Sequence, residues 1–164
     1  MHHILNAGRK GGRLFLRLLY PVRCPFCDEI VPGFENLVCD SCQKELMPIK
    51  SYCMKCGKHV QQGEEYCDAC REAPHSYSRG RCLFSYEGKV KKSIYRFKYG
   101  SRQEYAKAYA QLIAEEMGDF IQNCRADALL PVPLHLRRQQ KRGYNQAALL
   151  AKALGSIYHI PVYS

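Results

Sequence analysis

Eight of the ten cysteines fall in four Cys-x-x-Cys pairs within 47 residues: Cys24/Cys27, Cys39/Cys42, Cys53/Cys56 and Cys67/Cys70. Two residues between thiols let both sulfurs of one tight turn face the same cation, and two such turns complete a tetrahedral four-thiolate site. Four turns make two sites. A disulfide framework is the alternative use of so many cysteines, and it belongs to secreted domains. Nothing ahead of Cys24 resembles a secretion signal, because the short apolar run 14–20 is interrupted by Arg17 and lacks a small-residue cleavage site. An all-thiolate set in a reducing, cytoplasmic setting suits zinc, with iron as the alternative. With every ligand a cysteine, no coordination position is left open for catalysis, so two structural zinc ions are expected. Few large apolar residues lie between the cysteines, and metal binding of roughly 10–16 kcal/mol per structural site supplies folding energy that so thin a core lacks.

The spacers bear on which pairs share an ion. Residues 28–38 contain Pro32-Gly33 and residues 57–66 contain Gly63, which reads as two hairpins, whereas 43–52 has no glycine and reads as a helical turn stopped by Pro48. This favours sequential pairing, the first two pairs on one ion and the last two on the other. An interleaved cross-brace stays open, since ligand type does not fix pairing.

Charge is unevenly placed. Residues 1–23 carry +5, residues 24–78 carry −4 and residues 79–164 carry +9, within a total of +10. Two zinc-bound four-cysteine sites add about −2 each, which leaves the cysteine-rich stretch strongly acidic. That stretch would repel a phosphate backbone, so any polyanion is expected on the flanks.

The elements that must position these groups follow along the chain. Residues 1–23 read as a basic helix that either covers the neighbouring module or lies on a membrane surface, too short to span a bilayer. Residues 24–74 form the double ribbon, and Pro74 with SYSRG at 76–80 marks a linker. Beyond it, 81–86 read as a strand and 89–99 as an amphipathic helix. Lys91, Lys92, Arg96 and Lys98 fall largely off its apolar face and are candidates for a nucleic-acid surface. Ser101-x-x-Glu104 reads as a capping box for a helix to about Cys124, and Cys82 and Cys124 read as buried thiols. Residues 126–133 read as a strand, 134–143 as a basic loop, NQAALLAKAL as a helix closed by Gly155, and 160–162 as the start of another strand. Strand, loop, helix, strand is the unit of a parallel sheet, and its anion site lies where the loop meets the helix N-terminus. Arg137, Arg138, Lys141 and Arg142 cluster there, with Gly143 permitting close backbone approach and Asn145 and Gln146 offering amide donors.

The order CPxC, three further CxxC pairs, Tyr86-x-Gly88 followed by Phe97-Lys98-Tyr99, then PVP at 131–133 and RGYNQ at 142–146, resembles the ComF family. The resemblance implies an α/β architecture: an N-terminal all-cysteine double zinc ribbon followed by the first part of a parallel-sheet, type I phosphoribosyltransferase-like domain at 79–164. It implies a role in DNA uptake during natural transformation, with single-stranded DNA and proteins of the uptake machinery as partners. It also implies a pyrophosphate-binding loop for phosphoribosyl pyrophosphate and Mg²⁺, to which Arg137, Arg138, Lys141, Arg142, Gly143, Asn145 and Gln146 would correspond. The catalytic residues and the acceptor substrate remain unknown. The acidic pair and Thr-Thr-Gly-type loop of that family's ligand signature do not occur in 79–164, so the chain reads as the amino-terminal portion of a longer protein that is not expected to catalyse the reaction alone. A non-enzymatic single-stranded nucleic-acid binder, stacking bases on Tyr95, Tyr99 or Tyr144, and a scaffolding zinc module are the alternatives.

Overall fold

The computed structural model describes residues 20–32, 36–73 and 75–163. The body of the expected N-terminal helix, the Gly33 turn and Pro74 of the linker lie outside the described residues. Six helices are described: α1 (Asp40–Glu45), α2 (Asp68–Glu72), α3 (Gly88–Tyr99), α4 (Tyr105–Cys124), α5 (Leu136–Arg142) and α6 (Gln146–Tyr158).

The cysteine-rich stretch is one unit built twice. In the first copy an antiparallel bridge joins Arg23 and Ile30 around the Cys24–Cys27 turn, and in the second a bridge joins Tyr52 and His59 around Cys53–Cys56. The same two backbone bonds close both turns: Cys24 N to Glu29 O and Asp28 N to Cys24 O, then Cys53 N to Lys58 O and Gly57 N to Cys53 O, all 2.8 Å. The hairpins thus wrap the CxxC turns rather than filling the spacers. Each second pair sits on a short helix whose N-cap is a cysteine, Cys39 for α1 and Cys67 for α2.

The turn-closing residue needs a left-handed backbone, and the copies meet this differently. Gly57 takes φ +76° in the second, and a Cβ there would stand 2.4 Å from the Cα of Arg81, so only glycine fits. Asp28 holds φ +66° in the first, a conformation that Asp tolerates better than most residues.

Among the described residues there is no extended sheet, and the segment expected as a strand at 81–86 is irregular. Its backbone is used elsewhere: Leu83 O accepts from Ile49 N at 2.9 Å, and Gly80 N donates to Lys55 O at 2.6 Å as the chain crosses the second ribbon. The capping box does not form. Ser101 adopts φ +55°, Glu104 itself is the N-cap of α4 with no side-chain cap bond, and α4 starts only at Tyr105. Its buried side includes Tyr105, Ala106, Ala108, Tyr109, Ala110, Leu112 and Met117. Cys82 and Cys124 are exposed, not core thiols.

The expected strands at 126–133 and 160–162 reduce to one parallel bridge, Leu129 with Val162. It carries two bonds, Leu129 N to Pro161 O at 2.8 Å and Tyr163 N to Leu129 O at 3.1 Å. The basic segment expected as a loop is helical from Leu136 to Arg142, and Gly143 ends it in the left-handed region at φ +77°. Gly155 does not close α6, which runs on to Tyr158 and is capped by His159. What requires glycine there is approach: a Cβ would meet Ile160 O at 2.7 Å and Val162 Cγ2 at 2.8 Å as the chain doubles back. No described helix is long and apolar enough to cross a membrane.

One hydrophobic cluster joins the two halves of the chain. Cys24, Phe26, Val31, Val38 and Cys42 of the first ribbon are buried together with Phe97 of α3, Tyr105, Tyr109 and Leu112 of α4, and Tyr144. Phe26 is the hub, edge-on to Phe84 at 5.9 Å and to Tyr109 at 6.1 Å. The second ribbon supplies no member of this cluster.

Candidate metal centres and basic surface

The eight thiols gather in two groups, Cys24, Cys27, Cys39 and Cys42, and Cys53, Cys56, Cys67 and Cys70, with the sulfurs of each group within 4.8 Å of one another. Pairing is sequential, and the cross-brace is set aside. Cys27 Sγ lies 3.6 Å from Cys39 Sγ, and Cys56 Sγ lies 3.7 Å from Cys67 Sγ. A tetrahedron of thiolates at the zinc–sulfur bond length of about 2.3 Å has edges of about 3.8 Å, far longer than the ~2.05 Å of a disulfide. Donor chemistry and spacing both fit two structural zinc ions.

In each group one thiol is shifted downward by its hydrogen-bond partners. Burial pushes Cys39 up, but the Ser41 hydroxyl, the Cys42 backbone N–H and its neighbouring thiols pull it down to about 6. For Cys53, burial is likewise outweighed by the backbone N–H groups of Cys56, Cys67 and Lys55, again to about 6. In the same groups burial holds Cys42 up, and Cys70 is pushed up to about 12. Ligation requires deprotonation, and in each group the hydrogen bonds to one cysteine favour the thiolate that a metal needs.

The first centre is clamped to the helices by groups that spacing alone does not reveal. Arg96 Nη2 donates to Pro25 O at 3.0 Å and to Phe26 O at 2.8 Å, inside the CPFC turn. Arg102 Nη2 and the Tyr105 hydroxyl donate to the two carboxylate oxygens of Asp28, at 3.0 and 2.6 Å. Burial works against the Asp28 charge, yet Tyr105 and the Arg102 and Arg96 guanidinium groups hold its carboxyl below the ordinary value. Lys89 of α3 pairs with Glu45 of α1. A CPFCD run and a tyrosine 77 positions after its aspartate give no local signal of this contact.

The seven residues assigned to the anion loop stand in two environments. Arg137, Arg138 and Lys141 are exposed on α5 and reach no carboxylate among the described residues. Arg142 is held: Nη1 donates to Gln146 Oε1 and Nη2 to the Tyr99 hydroxyl, both at 3.0 Å. Asn145 caps α6, its Oδ1 accepting from Ala147 N at 2.9 Å while Nδ2 donates to Val132 O at 3.1 Å. Gln146 is buried.

On α3, Lys91 and Lys92 are exposed and Lys98 is half-buried, whereas Arg96 turns inward to the ribbon carbonyls. Tyr86, Tyr95 and Tyr99 are 61%, 64% and 56% exposed, and the rings of Tyr95 and Tyr99 lie 4.8 Å apart. Tyr86, Gly88, Lys91, Lys92, Tyr95 and Arg96 line an open, mostly apolar concavity. Tyr144 is not available for stacking, because it is buried and its hydroxyl donates to Phe97 O at 2.5 Å.

Comparison with known proteins agrees with these centres. Residues 15–71 match the double zinc ribbon domain. The chain is 30% identical over 142 residues to competence protein F of Haemophilus influenzae, covering 85% of this chain and 62% of that protein. It is 27% identical over 135 residues to competence protein ComFC of Bacillus subtilis, covering 78% and 55% of the two chains. With the DNA utilization protein YhgH of Escherichia coli K12 it shares 26% over 125 residues, covering 74% and 55%. The chain therefore spans little more than half the length of these relatives. No solved structure matches it.

Proposed function

We propose a role in the uptake and handling of DNA for this chain, which belongs to the ComF family. The observation that carries the reading is the similarity to competence protein F along 85% of the chain. Two further relatives are named for related roles, a competence protein of Bacillus subtilis and a DNA utilization protein of Escherichia coli. In this reading the two zinc ions hold the ribbons, the protein works in the reducing cytoplasm, and proteins of the uptake machinery are its partners.

The finer reading is a phosphoribosyltransferase-like half-domain at 79–164 whose 134–146 segment receives pyrophosphate, with Mg²⁺ and phosphoribosyl pyrophosphate engaged in the full-length relatives. The parallel bridge between Leu129 and Val162, with α5 and α6 between them, supports it as the seed of a parallel sheet. Arg142 would grip a phosphate with a guanidinium already oriented by Gln146 and Tyr99.

A non-enzymatic alternative is favoured by α3. Exposed Tyr95 and Tyr99 offer ring faces for bases, and Lys91, Lys92 and Lys98 offer charge for the backbone, the combination that binds single strands without sequence preference. The acidic ribbons would stay clear of the strand. Fluorescence anisotropy with a labelled single-stranded oligonucleotide tests this. Binding that falls steeply with salt and is lost in Tyr95→Ala/Tyr99→Ala is expected. No binding by the zinc-loaded chain at low salt would overturn it.

A further inference from the structure

Among the described residues the second metal centre has a neighbour that the first lacks. His75 Nε2 lies 3.3 Å from Cys70 Sγ, just after α2. Its ring stacks on Tyr77, with centroids 5.1 Å apart and planes 18° from parallel. On Tyr77 sits Lys55 Nζ, 5.5 Å from the ring centroid and itself part of the CMKC turn. The first centre shows a hydroxyl instead, Ser41 Oγ at 3.2 Å from Cys39 Sγ.

We propose that His75 is a positioning residue of the second centre: it donates an Nε2–H hydrogen bond to the Cys70 thiolate, and retention of the second ion depends on that bond. The inference rests on the reading that this centre holds zinc. A metal-bound thiolate offers only lone pairs, so the nitrogen facing it must carry the proton, and the tautomer follows. Four thiolates around one divalent cation leave a net charge of about −2, and each N–H donor drains part of it from the sulfur. The second centre is also the more open one, with three of its four cysteines partly exposed against two in the first, so a chelator reaches it readily and the loss of a donor shows in its release rate. Tyr77 fixes the ring plane, so the donor is pre-aimed rather than recruited.

The test uses the whole chain loaded with two equivalents of zinc and a chromogenic chelator in excess, which gives one release phase per ion. His75→Ala is expected to speed one phase by about tenfold or more, in line with the 10–100-fold weakening typical of lost outer-shell partners, and to leave the other phase unchanged. His75→Gln restores an N–H of similar reach and should return the rate most of the way. Tyr77→Ala should fall between. With cobalt in place of zinc, His75→Ala should shift the sulfur-to-cobalt charge-transfer band. Release phases and cobalt spectra identical to wild type would overturn the proposal. A wild-type chain that takes up only one ion would show instead that the metal reading of the centre itself had failed, and the proposal with it.

Discussion

The Tyr105 hydroxyl donates a 2.6 Å hydrogen bond to Asp28, joining the first residue of α4 to the end of the first zinc turn, 77 positions earlier. Tyr105 is 1% exposed, so the hydroxyl has no water to turn to. Arg102 takes the other carboxylate oxygen at 3.0 Å. Asp28→Asn keeps the left-handed tolerance and one acceptor but removes the charge, and should cost about 1–2 kcal/mol; Asp28→Ala should cost about 2–3 kcal/mol, because it strands two donors. Urea unfolding of the zinc-loaded protein measures both. Equal stability of wild type and Asp28→Ala would show that the contact contributes nothing.

The two centres should fail differently. Cys24→Ser and Cys67→Ser should each lower bound zinc from about two equivalents to about one. Cys24 lies in the cluster that holds Phe97, Tyr105 and Tyr109, so its loss should also collapse the near-ultraviolet tyrosine signal of the helices. Loss of Cys67 should leave that signal in place. Elemental analysis and circular dichroism on the same samples decide it, and identical spectra for the two variants would refute the asymmetry.

Gly155→Ala sets two effects against each other. Alanine gains about 1 kcal/mol over glycine inside a helix, but its Cβ would meet Ile160 O at 2.7 Å, a backbone atom that cannot swing aside. The steric cost, typically 1–3 kcal/mol for overpacking, should win, and the Leu129–Val162 bridge should open first. Hydrogen exchange of the Leu129 and Tyr163 amides is the readout. Slower exchange in the variant would mean that helix propensity dominates.

For the anion segment, orientation should matter more than charge count. Arg142 is fixed by Gln146 and Tyr99, while Arg137 is exposed and must surrender side-chain freedom on binding. An immobilised long side chain costs about 0.5–1.5 kcal/mol, so Arg142→Ala should weaken pyrophosphate binding about tenfold and Arg137→Ala only a few-fold. Calorimetric titration compares them, and equal losses would reduce the segment to a diffuse basic patch.

The metal ligands were legible in the sequence because their signal is local: two residues between sulfurs state the turn and the chemistry together. Helices α3, α4 and α6 were legible from apolar periodicity. What escaped was set by distant partners. Glu104 and Ser101 have the spacing of a capping box, but Arg102 and Tyr105 are drawn to Asp28 and the box never closes. The 134–143 segment lacks apolar periodicity and reads as a loop, yet Leu136–Arg142 winds into a helix between the His135 and Gly143 caps. Gly155 has the look of a helix stop, and its reason for being glycine lies in Ile160 and Val162, five and seven positions on, where the chain doubles back against it. The role of His75 has no motif at all, since it depends on a ring stacked beside a sulfur.

The shared cluster also bears on the order in which the protein matures. Synthesis delivers the first ribbon before the second, but Phe26 has no cover until Phe84 and Tyr109 exist, and Asp28 closes its turn without the support of Tyr105 until then. The second ribbon closes on itself and on the segment that crosses it, with Gly57 seated against Arg81, and among the described residues its link to α4 is confined to Arg79, which donates to Asn123 O and lies over the Phe120 ring. Its ion can be captured while the helices are still inside the ribosome. The later-made ribbon is thus expected to complete its packing first, and the first ribbon to gain its full cover only when α4 arrives.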